Sequence, residues 1–147
     1  MNERVITRNH NVEILSNLGF HKIGNTSVFQ RENNFILSPA VAENTNGKYW
    51  FDLRESNLNR INDNAVLLVR IVPDLFILKK LSEIKELLST KVMDNRPNSG
   101  NVWGIYIDIE RSMKKAALFN GKNLEYKVPV NLLKKDSIEN EYQSIVQ

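Results

Sequence analysis

Apolar positions along this chain change their spacing several times, and each change marks an element. Val12, Leu15 and Leu18 recur at helical spacing and are followed by Gly19, which predicts a short helix over 10–18 with a glycine C-cap and Phe20 folding back. The period then falls to two. Val28 to Arg31 and Phe35 to Leu37 flank Glu32-Asn33-Asn34, a hairpin in which the asparagines tolerate a left-handed turn. Asn46-Gly47 signals another turn, leading into an aromatic strand over 48–53. Leu58 and Ile61 suggest one or two helical turns before the Asn62-Asp63-Asn64 break.

Ala65 to Val72 is apolar and β-branched apart from Arg70, so it reads as the most buried strand, bent or ended at Pro73, with Leu75 to Leu78 continuing beyond. Leu81, Ile84, Leu87 and Leu88 form a stripe opposite Lys80, Glu83, Lys85 and Glu86, predicting an amphipathic helix. Residues 91–101 are rich in turn formers and read as an exposed loop. From 102 to 109, Trp103, Ile105, Ile107 and Ile109 alternate with Gly104, Tyr106 and Asp108, the pattern of a half-buried strand. Ala116 to Phe119 and Leu124 to Val128 flank Asn120-Gly121 as a second hairpin. The expected fold is α+β: a predominantly antiparallel, curved or barrel-like sheet of about seven or eight strands with two short helices. One domain over 1–135 and an acidic tail over 136–147 complete the expected organisation.

Composition narrows the class. The chain has 147 residues, 41% hydrophobic and 25% charged, a balance that supports one packed core. It has no cysteine, which removes disulfides, thiolate catalysis and cysteine-ligated metal sites and points to the cytoplasm. No apolar run approaches the roughly 20 residues of a membrane span, and no secretory h-region follows Met1. The net charge of +3 is uneven. Residues 91–135 hold nine Lys/Arg against four Asp/Glu, whereas Asp136, Glu139 and Glu141 stand in a segment with no base. A basic stretch of this kind attracts phosphate backbones.

Candidate chemistry follows the cations. Arg54 leaves a strand end and offers a planar fork for phosphate or guanine edges. Arg96, Asn98 and Asn101 place a cation and amide donors on one loop, and Arg111, Lys114 and Lys115 place three bases in a turn. Trp50 is a candidate for base stacking, whereas Trp103 falls on an apolar face and reads as core. His10 and His21 lack metal-ligand spacing, and Asp108 and Glu110 are accompanied by no phosphate loop or nucleophile motif. No catalytic residue, metal or cofactor is expected.

The segment Tyr49-Trp50-Phe51-Asp52-Leu53-Arg54-Glu55 resembles the Asp…(Asp/Glu)-x-Lys strand of the PD-(D/E)XK nucleases of bacterial restriction systems, in outline over residues 12–72. That family binds magnesium through carboxylates and uses the lysine to position water. Here Arg54 replaces the lysine, and Ser38-Pro39-Ala40 stands where Pro-Asp is expected, so the catalytic pattern is broken. The chain also resembles, in a general way, the β-rich recognition domains attached to bacterial restriction enzymes. With the basic 91–135 segment, Arg54, the Arg96 loop and the Arg111–Lys115 turn, this points to a bacterial or phage recognition module that binds double-stranded DNA, alone or beside a fused catalytic domain. Two other readings stand beside it. One is a protein-interaction module such as an immunity or inhibitor protein, and the other a magnesium-dependent nuclease using Asp52.

Overall fold

The computed structural model describes residues 3–43, 48–71 and 74–146. The expected turn at Asn46-Gly47 and the strand end at Pro73 lie outside them. The fold is α+β, with two six-stranded sheets in place of one curved or barrel-like sheet, and more strands than the seven or eight expected. The first sheet is built from β1 (His21–Lys22), β2 (Val28–Arg31), β3 (Asn34–Leu37), β6 (Val66–Ile71), β7 (Leu75–Lys80) and β12 (Leu133–Lys134). They lie in the order β1-β2-β3-β6-β7-β12. The second runs β11-β10-β9-β5-β4, from β4 (Ala42–Glu43), β5 (Tyr49–Arg54), β9 (Gly100–Ile109), β10 (Lys115–Asn120) and β11 (Asn123–Asn131). The short β8 (Asp94–Arg96) also pairs with β9. Pairing is antiparallel as expected, except for β3 with β6. No helix among the described residues is long and apolar enough to cross a membrane.

Two cores make three layers. Phe51, Leu53, Trp103, Ile105 and Ile107 of the second sheet meet Val28, Leu37, Leu67, Val69 and Ile77 of the first. The other face of the first sheet, with Phe29, Ile36, Val66, Leu68 and Phe76, is covered by α1 (Glu3–Asn17) and α3 (Ile138–Val146). Every residue of β6 is buried, because it serves both cores at once. The one polar side chain in that strand, Arg70, reaches Asp74 at 3.2 Å.

The end of α1 follows from Gly19. Its φ of +87° suits a residue without Cβ. The Phe20 amide donates to Leu15 O at 2.9 Å and the Gly19 amide to Ser16 O at 3.0 Å, the paired bonds of a Schellman cap. Phe20 thereby turns inward, edge-on to Tyr142 at 5.6 Å. Arg31 ties the corner together: it donates to Leu18 O at 2.7 Å and lies 4.8 Å from the Phe20 ring centroid. Burial pushes the Tyr142 phenol pKa up, against the opposing charge of Arg31. Farther along α1, the Asn11 amide donates to Ser38 Oγ, which donates to Leu68 O, both at 2.8 Å.

Several expectations are corrected. Among the described residues there are three α-helices: α1, the single turn α2 (Glu55–Leu58) and α3, the last of which lies within the segment read as an acidic tail. Ile138 and Tyr142 anchor it in the core. The amphipathic stretch 81–88 is 3₁₀ and is broken at Ile84 (φ −120°). Its buried residues, Leu81, Ile84 and Leu87, are spaced three apart, and a three-residue repeat stacks on one face of a 3₁₀ turn. The 91–101 loop is a hairpin, since Asp94 pairs with Val102 and Arg96 with Gly100. In the β2–β3 turn the left-handed residue is Glu32, with φ of 55°, and neither asparagine. Arg31 pairs with Asn34, so only Glu32 and Asn33 span the turn, and such tight hairpins demand positive φ at a central position.

Candidate nucleic-acid interface

Strand alternation decides what the second sheet shows on its outward face. Phe51, Leu53, Trp103 and Ile105 point to the core, so Trp50, Asp52, Arg54, Gly104, Tyr106 and Asp108 lie on the opposite face. Register then lines them up. Trp50 is opposite Tyr106, and Tyr106 is opposite Phe119 of β10. The Tyr106 and Phe119 rings stack with centroids 5.6 Å apart at 19°. Lys127 of β11 extends the row, its amino group 5.1 Å from the Phe119 centroid and 3.3 Å from Asp108 Oδ2. Gly121 gives Tyr106 its room, because a Cβ there would come within 2.7 Å of the ring.

Next to this row lies an ion network. Arg96 Nη1 donates to Asp52 Oδ2 at 2.5 Å, and its Nε donates to Asp94 Oδ2 at 3.4 Å. Lys122 stands 3.7 Å from Asp94 Oδ1. Burial works to lower the Arg96 pKa, but the hydrogen bonds and charges of Asp52 and Asp94 outweigh it and hold the pKa above its ordinary value. Burial works to raise the Asp94 pKa, but the Lys122 charge, the Asn95 amide and Arg96 together hold it below the usual 3.8. The Asp94 contribution to stability is therefore complete above the ordinary carboxylate pKa and is lost as pH falls through the lower folded value.

A polar cleft of about 450 Å³ opens beside the row at the Arg54 end of β5. Lys22, Arg54 and Arg60 line it together with Trp50, Ser56 and Asn57. All three cations are exposed, and among the described residues none of them makes an ion pair. The one acid in the lining, Asp52, already faces Arg96. The cleft is therefore cationic and supplied with neutral donors, a chemistry that suits phosphate esters.

The expected site residues fall in four separate places. Arg54 stands in the cleft. Arg96 and Asn101 are held by protein partners, Asn101 donating to Glu55 Oε1 at 3.2 Å and accepting from Asn95 at 2.8 Å, while Asn98 lies exposed in the hairpin turn. Arg111 and Lys114 are exposed in the turn at the opposite end of β9, about 30 Å from Gly100 at some 3.3 Å per residue. Lys115 lines a different groove of about 330 Å³, with Lys79, Lys80 and Glu141. The structure thus does not gather the 91–135 cations into one patch. Trp103 is core as expected, its indole donating to Ser89 O at 2.9 Å.

Sequence reasoning missed Lys22, Arg60, Tyr106 and Phe119. Tyr106 carried a usable signal, an aromatic at a polar-face position of an alternating strand. Lys22 and Arg60 carried none, since only the fold brings them to Arg54. As for a metal-dependent nuclease, Asp52 and Asp94 are bridged by one guanidinium, and no group of three His, Asp or Glu suited to a metal is gathered among the described residues. No family model matches this chain, and neither a curated protein nor a solved structure does.

Proposed function

We propose that this protein is a nucleic-acid-binding module that holds the phosphate backbone in the Lys22–Arg54–Arg60 cleft. The observation that carries the reading is the convergence of three cations without acidic partners on one polar cleft. Arg54 and Arg60 offer forks for phosphate oxygens, Lys22 a point charge, and Ser56 and Asn57 neutral donors. The module binds without cutting, in keeping with a recognition role beside a separate catalytic domain.

Salt dependence tests it. Three phosphate contacts give a log–log slope of about −2.1 to −2.7, hence a loss of about twenty- to fortyfold in affinity between roughly 50 and 200 mM salt. The combined variant K22Q/R54Q/R60Q should lose that dependence, measured by fluorescence anisotropy on a labelled oligonucleotide. Arg111→Gln with Lys114→Gln should change affinity for a short oligonucleotide by less than about twofold, because that turn is far from the cleft. Equal losses in both variants would show diffuse charge attraction and defeat the site assignment.

One observation favours a second reading as a protein-interaction module. Leu124 and Tyr126, 64% and 43% exposed, stand on the edge strand β11. An exposed apolar edge can take up another strand. Partner binding there would be nearly insensitive to salt and would fail on Leu124→Asp.

A further inference from the structure

We infer that the aromatic row Trp50–Tyr106–Phe119 is a base-stacking platform, so that the preferred ligand is a single strand. This rests on the proposed backbone-binding role of the neighbouring cleft and adds what the bases do. Trp50 and Tyr106, opposite each other on β5 and β9, line one groove of about 250 Å³. Gly104 and Gly121 lie in the same lining and place no side chain there. Arg96, Lys122 and Asp94, joined in their own ion network, put polar groups in the same lining. The groove is therefore aromatic, uncluttered and edged by polar groups, which suits a flat heterocycle.

The neighbouring clefts connect the platform to phosphate chemistry. Trp50 lines both this groove and the Lys22–Arg54–Arg60 cleft. Arg54 is four residues along the same strand, about 13 Å away at strand rise. On the far side, Tyr106 and Phe119 also line a groove of about 500 Å³ with Lys127 and Leu124. A chain of nucleotides can thus lay bases on the row while its phosphates meet cations at either end. A paired duplex buries its base faces in its own stack and cannot offer them to the row. The chemistry recognised is an unpaired nucleobase on a phosphodiester backbone, of DNA or RNA.

Tryptophan fluorescence gives a direct readout, since the chain has two tryptophans and Trp103 is 4% exposed with its indole N–H engaged. Binding of a single-stranded DNA of about twelve nucleotides should quench emission, and Trp50→Phe should remove the quench. Tyr106→Leu should weaken that binding about ten- to hundredfold, whereas Tyr106→Phe should retain it. The same sequence as a duplex should bind at least tenfold more weakly, and an RNA strand run in parallel tells which sugar is preferred. Should Tyr106→Leu fail to fold by circular dichroism, the quench and the strand preference of the unaltered protein decide. Duplex binding as tight as single-strand binding, lost in K22Q/R54Q/R60Q but unchanged in Tyr106→Leu, would overturn the platform and leave the backbone cleft standing. Mononucleotide binding as tight as that of the strand would overturn the strand as ligand. No binding to any of these at low salt would overturn both.

Discussion

A chain ended after Lys135 is expected to lose most of its stability, because α3 closes the helical layer over the first sheet. Ile138 and Tyr142 are 2% and 1% exposed, in one core with Leu15, Phe20, Phe29 and Phe76. Deleting a buried aromatic alone costs about 3–5 kcal/mol, and losing Ile138 adds about 2–4 kcal/mol. A domain of this size has about 5–15 kcal/mol in all. The truncated chain should therefore show no cooperative melt, or one lowered by well over 10 °C. The point variant Tyr142→Ala should lower the melting temperature by about 10 °C, and Tyr142→Phe should cost less than about 1 kcal/mol because the ring against Phe20 is kept. A truncated chain that melts like the full one would mean that the packing of α3 contributes nothing.

Asn120→Ala is expected to cost about 2–4 kcal/mol, a large effect for a residue beside a hairpin turn. The side chain is 2% exposed, and its amide nitrogen donates to Leu87 O at 2.9 Å and to Val92 O at 3.2 Å. Its oxygen accepts the Lys122 amide at 2.9 Å. Alanine would leave these groups without partners, at about 1–3 kcal/mol for each one that is buried. It would also release the 81–93 segment from β10. The measurement is the urea midpoint at unchanged m-value. A shift equivalent to less than about 0.5 kcal/mol would show that the segment is held without these bonds, by Leu81, Ile84 and Leu87 and by the Trp103 bond to Ser89 O.

Strands were the legible part of this fold, because a period of two survives any environment in which one face is buried. Trp103, Ile105 and Ile107 of β9 turn inward as their alternation requires. The 81–88 stretch was misread because Leu81, Ile84 and Leu87 satisfy both a 3.6 and a 3.0 repeat, and only tertiary packing chooses between them. The helix α3 was hidden by its charges: Glu139 and Glu141 dominate the composition, while the two residues that matter, Ile138 and Tyr142, are a single i, i+4 pair. The position of Arg54 at an exposed strand end was legible from the aromatics that precede it. The Arg96–Asp52 ion pair was not legible, because no local pattern announces a partner 44 residues earlier.

The parallel pairing of β3 with β6 has a consequence for how the molecule comes apart. Between β3 and its neighbour β6 the chain leaves the first sheet, adds β4 and β5 to the second, turns through α2 and returns. It crosses again after β7, and once more to place β12 beside β7. Neither sheet is a contiguous stretch of chain, so neither can detach as a local unit and leave the other intact. Amide hydrogens in the centres of β6 and β9 should then exchange only through one shared global opening, with equal free energies. Native-state exchange with rising denaturant would show the two isotherms merging.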